Sequence, residues 1–373
     1  MTAMEQQQPC RRITVKVGSN VLTRADGTLD VTRMSALVDQ VADLRRRGIE
    51  VILVSSGAVA SGRSEVQPVR RLDSVDQRQL FSAVGQAKLI NRYYELFREH
   101  GIAVGQVLTT KESFGTRSHY LNQKNCMTVM LENGVLPIVN ENDTISISEL
   151  MFTDNDELSG LIASMMDAHA LIILSNVDGI YDGPPSDPAS RVISEIRPGD
   201  DFASCIQTSK SSFGRGGMLT KTSIARKVAD EGITVIIANG RRENVLVEIV
   251  ESEERRMKHE EPSLSYTRFV PAPRPASSVK KWIAHSEGFA KGAYYVDEQT
   301  MNLLLSDRPV SILPVGVLAV EGKFDKDDIV RIYGPGTKYI GVGKSAFSSK
   351  EAVELMGKHG QKPAVHYDYL YIE

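Results

Sequence analysis

Lys16 lies in the middle of an apolar run, Ile13-Thr-Val-Lys-Val-Gly-Ser-Asn20, that alternates as a β-strand does. An ammonium group on a buried strand is costly without a charged partner, and an anion is the usual one. Gly18 lets a phosphate approach the backbone closely, while Ser19 and Asn20 add short polar groups at the same strand end. The run therefore predicts an anion-binding strand end. An edge strand with a solvated lysine explains this run, taken alone, equally well.

A second lysine, Lys221, follows a glycine-rich turn in the segment Gly214-Arg-Gly-Gly-Met-Leu-Thr-Lys221. Glycines expose consecutive N–H groups, and the N-terminus of the helix that follows adds partial positive charge, so the segment suits a polyphosphate. A lysine at a helix start opposes the helix dipole unless an anion compensates for it, which favours a functional interpretation. The alternative is a flexible surface loop.

Polar clusters also stand where other predicted strands end. They are Ser55-Ser-Gly57, Asn140-Glu-Asn-Asp143 and Ser175-Asn176. In a parallel sheet, ligands bind outside the carboxyl ends of the strands, so these clusters and Gly18 are expected along one edge. Polar turns are common in any protein, which is the alternative explanation.

The elements that must position these groups alternate between strand and helix from residue 13 to about residue 250. The predicted strands span about 13–18, 51–56, 102–108, 135–139, 171–175 and 234–238. The predicted helices span about 32–47, 75–100, 116–132, 157–166 and 219–230. This alternation predicts an α/β fold with a mostly parallel central sheet and helices on both faces.

Two familiar phosphate-binding motifs are incomplete or missing. Gly341-Val-Gly-Lys-Ser345 ends like a P-loop, but Lys338 stands where the first glycine should be, and the segment lies outside the α/β part. No Gly-x-Gly-x-x-Gly sequence opens the first helix, so a dinucleotide-binding fold is poorly supported.

The composition argues against several other classes of protein. The 373 residues, 41% hydrophobic and 24% charged, are enough for two or three domains, and no apolar run approaches the length of a membrane span. Cys10, Cys126 and Cys205 lack metal-ligand spacing, so the chain is expected in a reducing cytoplasm. A net charge of -3 argues against a nucleic-acid binder.

Five segments, in this order and at these separations, resemble the amino-acid kinase family. They are Lys16-Val-Gly-Ser19, Ser55-Ser-Gly-Ala58, Val139-Asn-Glu-Asn-Asp143, Asp154-Asn-Asp156 and Gly216-Gly-Met-Leu-Thr-Lys221. The spacing of the third and fourth segments is similar to that of the members that phosphorylate glutamate. The resemblance implies ATP-dependent phosphorylation of the γ-carboxylate of L-glutamate to γ-glutamyl phosphate, the first step of proline synthesis.

The resemblance also implies roles for single residues. Lys16 and Lys221 would be catalytic, contacting the transferring phosphoryl group, and Asp156 would hold both ammonium groups in place. The residues expected to bind glutamate are Ser56, Gly57, Asn140, Asp143, Asp154 and Asn155, with the carboxylate of Asp143 facing the substrate ammonium. The residues expected to bind ATP are Lys16, Gly18, Ser175, Asn176, Gly216, Gly217, Met218 and Lys221.

Two features of the nucleotide side depart from the common family pattern. Asn176 stands where an aspartate is usual, and Arg215 interrupts the glycine run. Mg²⁺ is expected to bind through the ATP phosphates, with no direct protein ligand. The family further implies feedback inhibition by proline and a homo-oligomer, either a dimer or a tetramer.

The chain changes character after about residue 252. We predict a kinase domain over residues 1–252, a linker over 253–275 that is rich in charge and then in proline, and a small β-barrel over 276–373. The last part resembles a PUA domain, a fold often found on RNA-modifying enzymes. Residues 274–373 contain 13 Lys and Arg against 12 Asp and Glu, a balance of +1, which makes RNA binding doubtful.

Two alternatives remain open at this point. The chain could be an amino-acid kinase with another acceptor, which substrate profiling would reveal. It could also be an RNA-associated regulatory protein in which the kinase fold is secondary, although the retained lysines and the near-neutral C-terminal part weigh against this.

Overall fold

The protein is described here by a computed structural model that covers residues 11–146, 152, 154–184, 187–200, 217–261, 264–273, 278–306 and 308–372. The chain divides into two compact units. The larger contains Met1–Ser113 and Leu121–Pro275, and the smaller contains Phe114–Tyr120 and Ala276–Glu373. Seven residues from the first part of the chain therefore belong to the C-terminal unit.

The larger unit is built on a mostly parallel sheet. Its strands among the described residues are β1 Arg12–Val17, β2 Glu50–Ser55, β3 Val104–Thr109, β4 Leu136–Glu141, β5 Ala170–Ser175, β6 Glu195–Ile196, β7 Thr234–Asn239 and β8 Thr267–Phe269. They lie in the order β3-β4-β2-β1-β5-β7-β8-β6, and only the β7–β8 pairing among them is antiparallel. The predicted mostly parallel sheet is confirmed.

Nine helices are described in this part of the chain; those that begin at Val31, Ser74, Arg117, Asn155 and Met218 lie close to the predicted spans, and the other four were not predicted. They are α1 Ser19–Leu22, α2 Val31–Arg46, α3 Ala58–Arg63, α4 Ser74–Glu99, α5 Glu112–Gly115, α6 Arg117–Glu132, α7 Asn155–Met165, α8 Met218–Asp230 and α9 Val245–Met257. Asp side chains begin three of them, since Asp30, Asp73 and Asp154 each accept a hydrogen bond from a backbone N–H of the first turn.

Successive residues of β5 face two different cores, which places helices on both faces of the sheet. Ile172 and Leu174 belong to a cluster that includes residues of α2, α4 and α9. Leu171 and Ile173 belong to a second cluster that includes residues of α7 and α8. Because both faces are covered, these strands are apolar throughout rather than alternating.

Strand β1 shows the same division, and it determines the surroundings of Lys16. The strand lies at the centre of the sheet, between β2 and β5. Ile13, Val15 and Val17 face the first core. Lys16 therefore faces the opposite side, where α7 packs on the strand. An edge strand with a solvated lysine is excluded.

The range 253–275, predicted as a linker, contains regular structure of the larger unit. Helix α9 continues to Met257, and β8 pairs with β7 in the register Ile236↔Arg268. Tyr266 and Phe269 are buried, because this short stretch closes the sheet beyond β7. The two units divide at Pro275, so the proline-rich segment adds a strand to the sheet before the chain leaves it.

The smaller unit contains a second, five-stranded sheet. Its elements are α10 Ser278–Ala284, β9 Gly292–Val296, α11 Glu298–Leu304, β10 Val317–Gly322, β11 Ile329–Tyr333, β12 Tyr339–Lys344, α12 Ser349–Leu355 and β13 Leu370–Ile372. The strand order is β10-β9-β11-β12-β13. Outside these strands, Ile312 forms a single antiparallel bridge with Val365. The P-loop-like Gly341–Ser345 segment lies largely in β12, so it forms no strand-to-helix turn.

Candidate active site

One carboxylate joins the two lysines that the sequence analysis placed at the reaction centre. Asp156 Oδ1 lies 2.6 Å from Lys16 Nζ, and Asp156 Oδ2 lies 2.9 Å from Lys221 Nζ. Lys16 is 5% exposed and Asp156 is 1% exposed, so water screens these charges weakly. Two ammonium groups against one carboxylate leave a net charge of +1. The cluster therefore attracts an anion while the carboxylate keeps the two cations close together.

The ionisation of Asp156 depends on these lysines. Burial would raise the pKa of the Asp156 carboxyl, but the ammonium groups of Lys16 and Lys221 outweigh that effect and lower the pKa to about 2. Asp156 is consequently ionised at neutral pH. An asparagine here would remove the carboxylate that both ammonium groups contact.

The first turn of α7 brings three neighbouring polar residues into this region. Asp154 caps the helix, since its Oδ1 accepts hydrogen bonds from the backbone N–H groups of Asp156 and Glu157 at 2.9 and 3.1 Å. Its Oδ2 is buried without a hydrogen-bond partner among the described residues. Burial, and then the negative charge of Asp156, raise the pKa of Asp154 to about 6. The cap thus presents a titratable oxygen toward the site.

A cavity of about 470 Å³ adjoins these residues. Its walls include all six residues expected to bind the acceptor: Ser56, Gly57, Asn140, Asp143, Asp154 and Asn155. We refer to it as the acceptor cavity. The residues come from two strand ends, those of β2 and β4, and from the start of α7, which the parallel sheet brings to one edge.

A chain of side-chain hydrogen bonds fixes one wall of the acceptor cavity. Asn155 Nδ2 donates to Ser56 Oγ at 2.8 Å and to Asn140 Oδ1 at 3.0 Å. Asn140 Nδ2 in turn donates to Gln86 Oε1 at 2.8 Å. The carbonyl oxygen of Asn155, Oδ1, is buried and has no partner within the described part of the chain. These amides are oriented before any ligand arrives, and one acceptor atom is left for it.

Arg78 supplies a guanidinium group on the other wall. It contacts Asp143 Oδ1 and lies 2.6 Å from Glu141 Oε2. Glu141 Oε1 also accepts hydrogen bonds from Ser146 Oγ at 2.6 Å and from the backbone N–H of Phe152 at 3.0 Å. Both carboxylate oxygens of Glu141 are thus engaged by protein groups. Asp143 lies at the cavity wall with its side chain 10% exposed.

Two glycines shape the backbone around the site. Gly57 begins α3 with φ of +108°, a conformation that residues with a Cβ rarely adopt. A Cβ on Gly18 would lie 3.3 Å from Leu174 O and 3.4 Å from Lys16 Nζ. Gly18 is therefore needed for the close approach of the strand-end backbone to Lys16, in addition to any ligand contact.

The nucleotide-side residues lie at the ends of β5 and α8. Ser175 is the last residue of β5, Asn176 follows it, and Ser175 Oγ donates to Asn176 Oδ1 at 3.4 Å. Gly217 is the N-cap of α8 without a side-chain cap, and Met218 is its first residue. Gly216 lies outside the described residues. Besides the two lysines and Gly18, five residues were expected to bind ATP. Four of them, Ser175, Asn176, Gly217 and Met218, are described, and they lie at the same sheet edge as Lys16 and Lys221.

Arg78 and Gln86 were not predicted from the sequence. They are eight residues apart on α4, so they lie on one side of that helix. Their helical spacing is a weak signal, because polar residues on an amphipathic helix usually face solvent. Among the residues described, no group of three or more His, Cys, Asp or Glu is arranged to hold a metal ion.

Comparison with known proteins agrees with this site. The sequence profile described as "Amino acid kinase family" matches residues 11–239, which is more than half of the chain. The chain belongs to the amino acid kinase family. A second profile, "PUA domain", matches residues 292–367 within the smaller unit. No helix in the described ranges is long and apolar enough to cross a membrane.

Individual relatives match over nearly their whole length. A protein of Bacteroides thetaiotaomicron named "Glutamate 5-kinase" is 71% identical over 367 residues, covering 98% of this chain and all of the relative. A "Glutamate 5-kinase" of Chlorobaculum tepidum is 46% identical and covers 99% of both chains. Both units of this chain are therefore shared with proteins of that name.

Proposed function

We propose that this protein transfers the γ-phosphoryl group of ATP to the γ-carboxylate of L-glutamate, giving γ-glutamyl phosphate, the first step of proline synthesis. The observation that carries the proposal is the Lys16–Asp156–Lys221 cluster beside the acceptor cavity, in which Lys16 and Asp156 are buried. Full-length similarity to proteins named glutamate 5-kinase supports the choice of acceptor.

The reaction needs little from a general base, because the attacking carboxylate is already ionised. It needs two mutually repelling anions held in line and the charge on the moving group neutralised. Lys16 and Lys221 supply positive charge at that point, and Asp156 keeps both ammonium groups in a fixed position. The γ-carboxylate oxygen forms the new bond to phosphorus, and ADP leaves with the electrons of the broken bond.

The acceptor cavity offers complementary groups for the other end of glutamate. Asp143 would face the α-ammonium, while Ser56 and the backbone N–H at Gly57 would donate to a carboxylate. Asn155 is held by Ser56 and Asn140, so it would position the substrate with little further ordering.

ATP use follows from membership of a kinase family, and Mg²⁺ would be held by the ATP phosphates. Both oxygens of Asp156 are engaged by ammonium groups, which fits a metal that binds phosphate rather than this carboxylate. When bound, Mg²⁺ would neutralise phosphate charge. Gly18, Ser175, Asn176, Gly216, Gly217 and Met218 would border the nucleotide. We further propose inhibition by proline, assembly into a dimer or tetramer, a cytoplasmic location and no RNA-binding role for the PUA domain.

The test is ADP release with hydroxylamine as an acyl-phosphate trap. L-Glutamate is compared with aspartate, N-acetylglutamate and carbamate, using the full chain with ATP and Mg²⁺. Hydroxamate should form with glutamate, and Lys221→Ala should lower its rate of formation by about 10²- to 10³-fold, whereas Lys227→Ala, on the same helix, should not. Preference for another acceptor would reject the proposed substrate, and near wild-type hydroxamate formation by Lys221→Ala would reject the proposed site.

A further inference from the structure

A second cavity, of about 660 Å³, opens beside the acceptor cavity within the larger unit. Ser19, Val59, Ala60 and Arg63 line both cavities, so the two share a wall. The lining of the second cavity does not include Lys16, Lys221, Gly217 or Met218. We call it the arginine cavity. Neither catalytic lysine lines it, while Asn176, which we assign to the nucleotide side, lies on its wall.

The charged residues that line the arginine cavity are mostly positive. They are Arg24, Arg33, Arg63, Arg241 and Asp30. Four guanidinium groups against one carboxylate leave a net charge of +3 among these lining residues. A concave wall with charge of one sign concentrates ions of the opposite sign.

Neutral backbone oxygens hold two of the arginines in position. Arg33 Nη1 donates to the carbonyl oxygen of Arg241 at 2.7 Å, and Arg241 Nη2 donates to the carbonyl oxygen of Asn20 at 2.9 Å. Neither side chain forms an ion pair within the described part of the chain. A carbonyl fixes a guanidinium without neutralising its charge, so both remain oriented, charged donors.

The other two arginines complete the wall. Arg24 Nη2 lies 3.9 Å from Asp30 Oδ1, a long ion pair on a side chain that is 50% exposed. Asp30 also caps α2 by accepting from the backbone N–H of Arg33. The guanidinium of Arg63 lies 5.6 Å from the ring centre of Phe81. The ring orients Arg63 at the shared wall and leaves its N–H groups for a ligand.

We propose that the arginine cavity binds a phosphate-bearing anion other than the ATP of the reaction. The planar guanidinium fork matches phosphate oxygens in geometry as well as charge, and several such forks around one concave wall suit a group with two or more negative charges. The cavity is large enough for more than a single phosphate group, so a diphosphate fits it better than inorganic phosphate.

The experiment is titration calorimetry of pyrophosphate and of inorganic phosphate into the full chain. The protein is first saturated with a non-hydrolysable ATP analogue and Mg²⁺, which occupies the catalytic lysines. Wild type is compared with Arg24→Gln, Arg33→Gln and, as a control on the same helix as Arg33 but outside the cavity, Arg46→Gln. Arg24→Gln should disturb the fold less than Arg33→Gln, because the Arg24 side chain is half exposed and donates no hydrogen bond to a backbone group among the described residues.

One additional site should be seen for pyrophosphate, with weaker binding of inorganic phosphate. The affinity should fall by at least about tenfold in Arg24→Gln and Arg33→Gln, as expected when one charged hydrogen-bond donor is lost, and should be unchanged in Arg46→Gln. The proposal is overturned if the saturated wild type binds no pyrophosphate, or if Arg24→Gln binds it as tightly as wild type.

Discussion

Arg78 and Asp143 are in direct contact at the wall of the acceptor cavity, and the same guanidinium also reaches Glu141. One positive charge between two carboxylates leaves a net charge of -1. Glu141 is further held by Ser146 and Phe152, so the excess negative charge is presented to the cavity by Asp143. A substrate with a free ammonium group would balance it, whereas an acetylated one would not.

Asp143→Asn should therefore raise the KM for glutamate by about tenfold or more, because an ionic contact to the α-ammonium is lost. The turnover number should fall less, since the proposed contact of Asp143 is with the α-ammonium and not with the transferred group. Steady-state kinetics with the hydroxamate assay measures both values. Asp43→Asn, which removes a carboxylate from an ion pair with Arg47 on α2, is the control. If wild type turns over N-acetylglutamate as well as glutamate, the role given to Asp143 is wrong.

Lys16→Ala and Lys221→Ala should each lower turnover by about 10²- to 10³-fold at saturating substrates, as when one preorganised transition-state donor is removed. Asp156→Asn should have a similar effect, because both ammonium groups lose the carboxylate that positions them. Circular dichroism checks that the fold is intact. A variant with near wild-type turnover would remove that residue from the catalytic set.

The free energy of unfolding should depend on pH through Asp154. Burial and the charge of Asp156 raise its pKa to about 6 in the folded protein, above the ordinary value of 3.8. Between these values the folded state holds a proton that the unfolded chain has released, so this contribution to stability is lost as the pH rises through about 4 to 6. Asp154→Asn keeps the helix-capping oxygen and cannot titrate.

Urea unfolding at about pH 5 and about pH 7.5 tests this difference. Wild type should lose more stability than Asp154→Asn between the two values, and equal losses would contradict the prediction. The pH dependence that Asp156 contributes to the free energy of unfolding has the opposite sign. Its pKa is lowered to about 2, so its contribution to stability is lost as the pH falls below 3.8. The comparison is therefore kept above that range.

The sheet and its sequence-distant polar clusters could be predicted because parallel strands are read from apolar runs and their carboxyl ends must meet. Lys16 is the clearest case, since its buried strand demanded a partner, and Asp156 lies 2.6 Å away. Arg78 could not be found in this way, because a charged residue on an amphipathic helix usually faces solvent. Only the tertiary packing of α4 shows which side of the helix meets Asp143.

Strand β8 and the assignment of Phe114–Tyr120 were missed for a related reason. Thr267-Arg-Phe269 is three residues long and follows a proline-rich stretch, so its local pattern indicates a linker. It becomes a strand because β7 has an open edge to pair with. The membership of Phe114 in the smaller unit depends on Trp282, whose Nε1 donates to Phe114 O at 3.0 Å, a partner 168 residues away.

A chain that ends at Pro273 should still fold and make γ-glutamyl phosphate, since β8 ends at Phe269 and the residues proposed for chemistry lie between Lys16 and Lys221. Its stability and solubility should nevertheless fall. Phe114 and Tyr120 are 1% and 2% exposed in the full chain, and they belong to the smaller unit. The truncated chain keeps these two residues but loses the rest of that unit, Ala276–Glu373. Exposing each ring costs about 1.5–3 kcal/mol. Its response to proline should also change, because the smaller unit could bias a regulatory equilibrium without touching substrate.

The control is Phe114→Ser in both lengths of chain. In the truncated chain this change should improve solubility, because it removes an exposed aromatic ring, and in the full chain it should lower the melting temperature, because it leaves a gap where the buried ring was. Differential scanning calorimetry, the hydroxamate assay and a proline titration are run on all four proteins. If the truncated chain is insoluble with and without Phe114→Ser, or is folded but forms no hydroxamate, the C-terminal unit is required for the kinase fold or its chemistry and is no accessory.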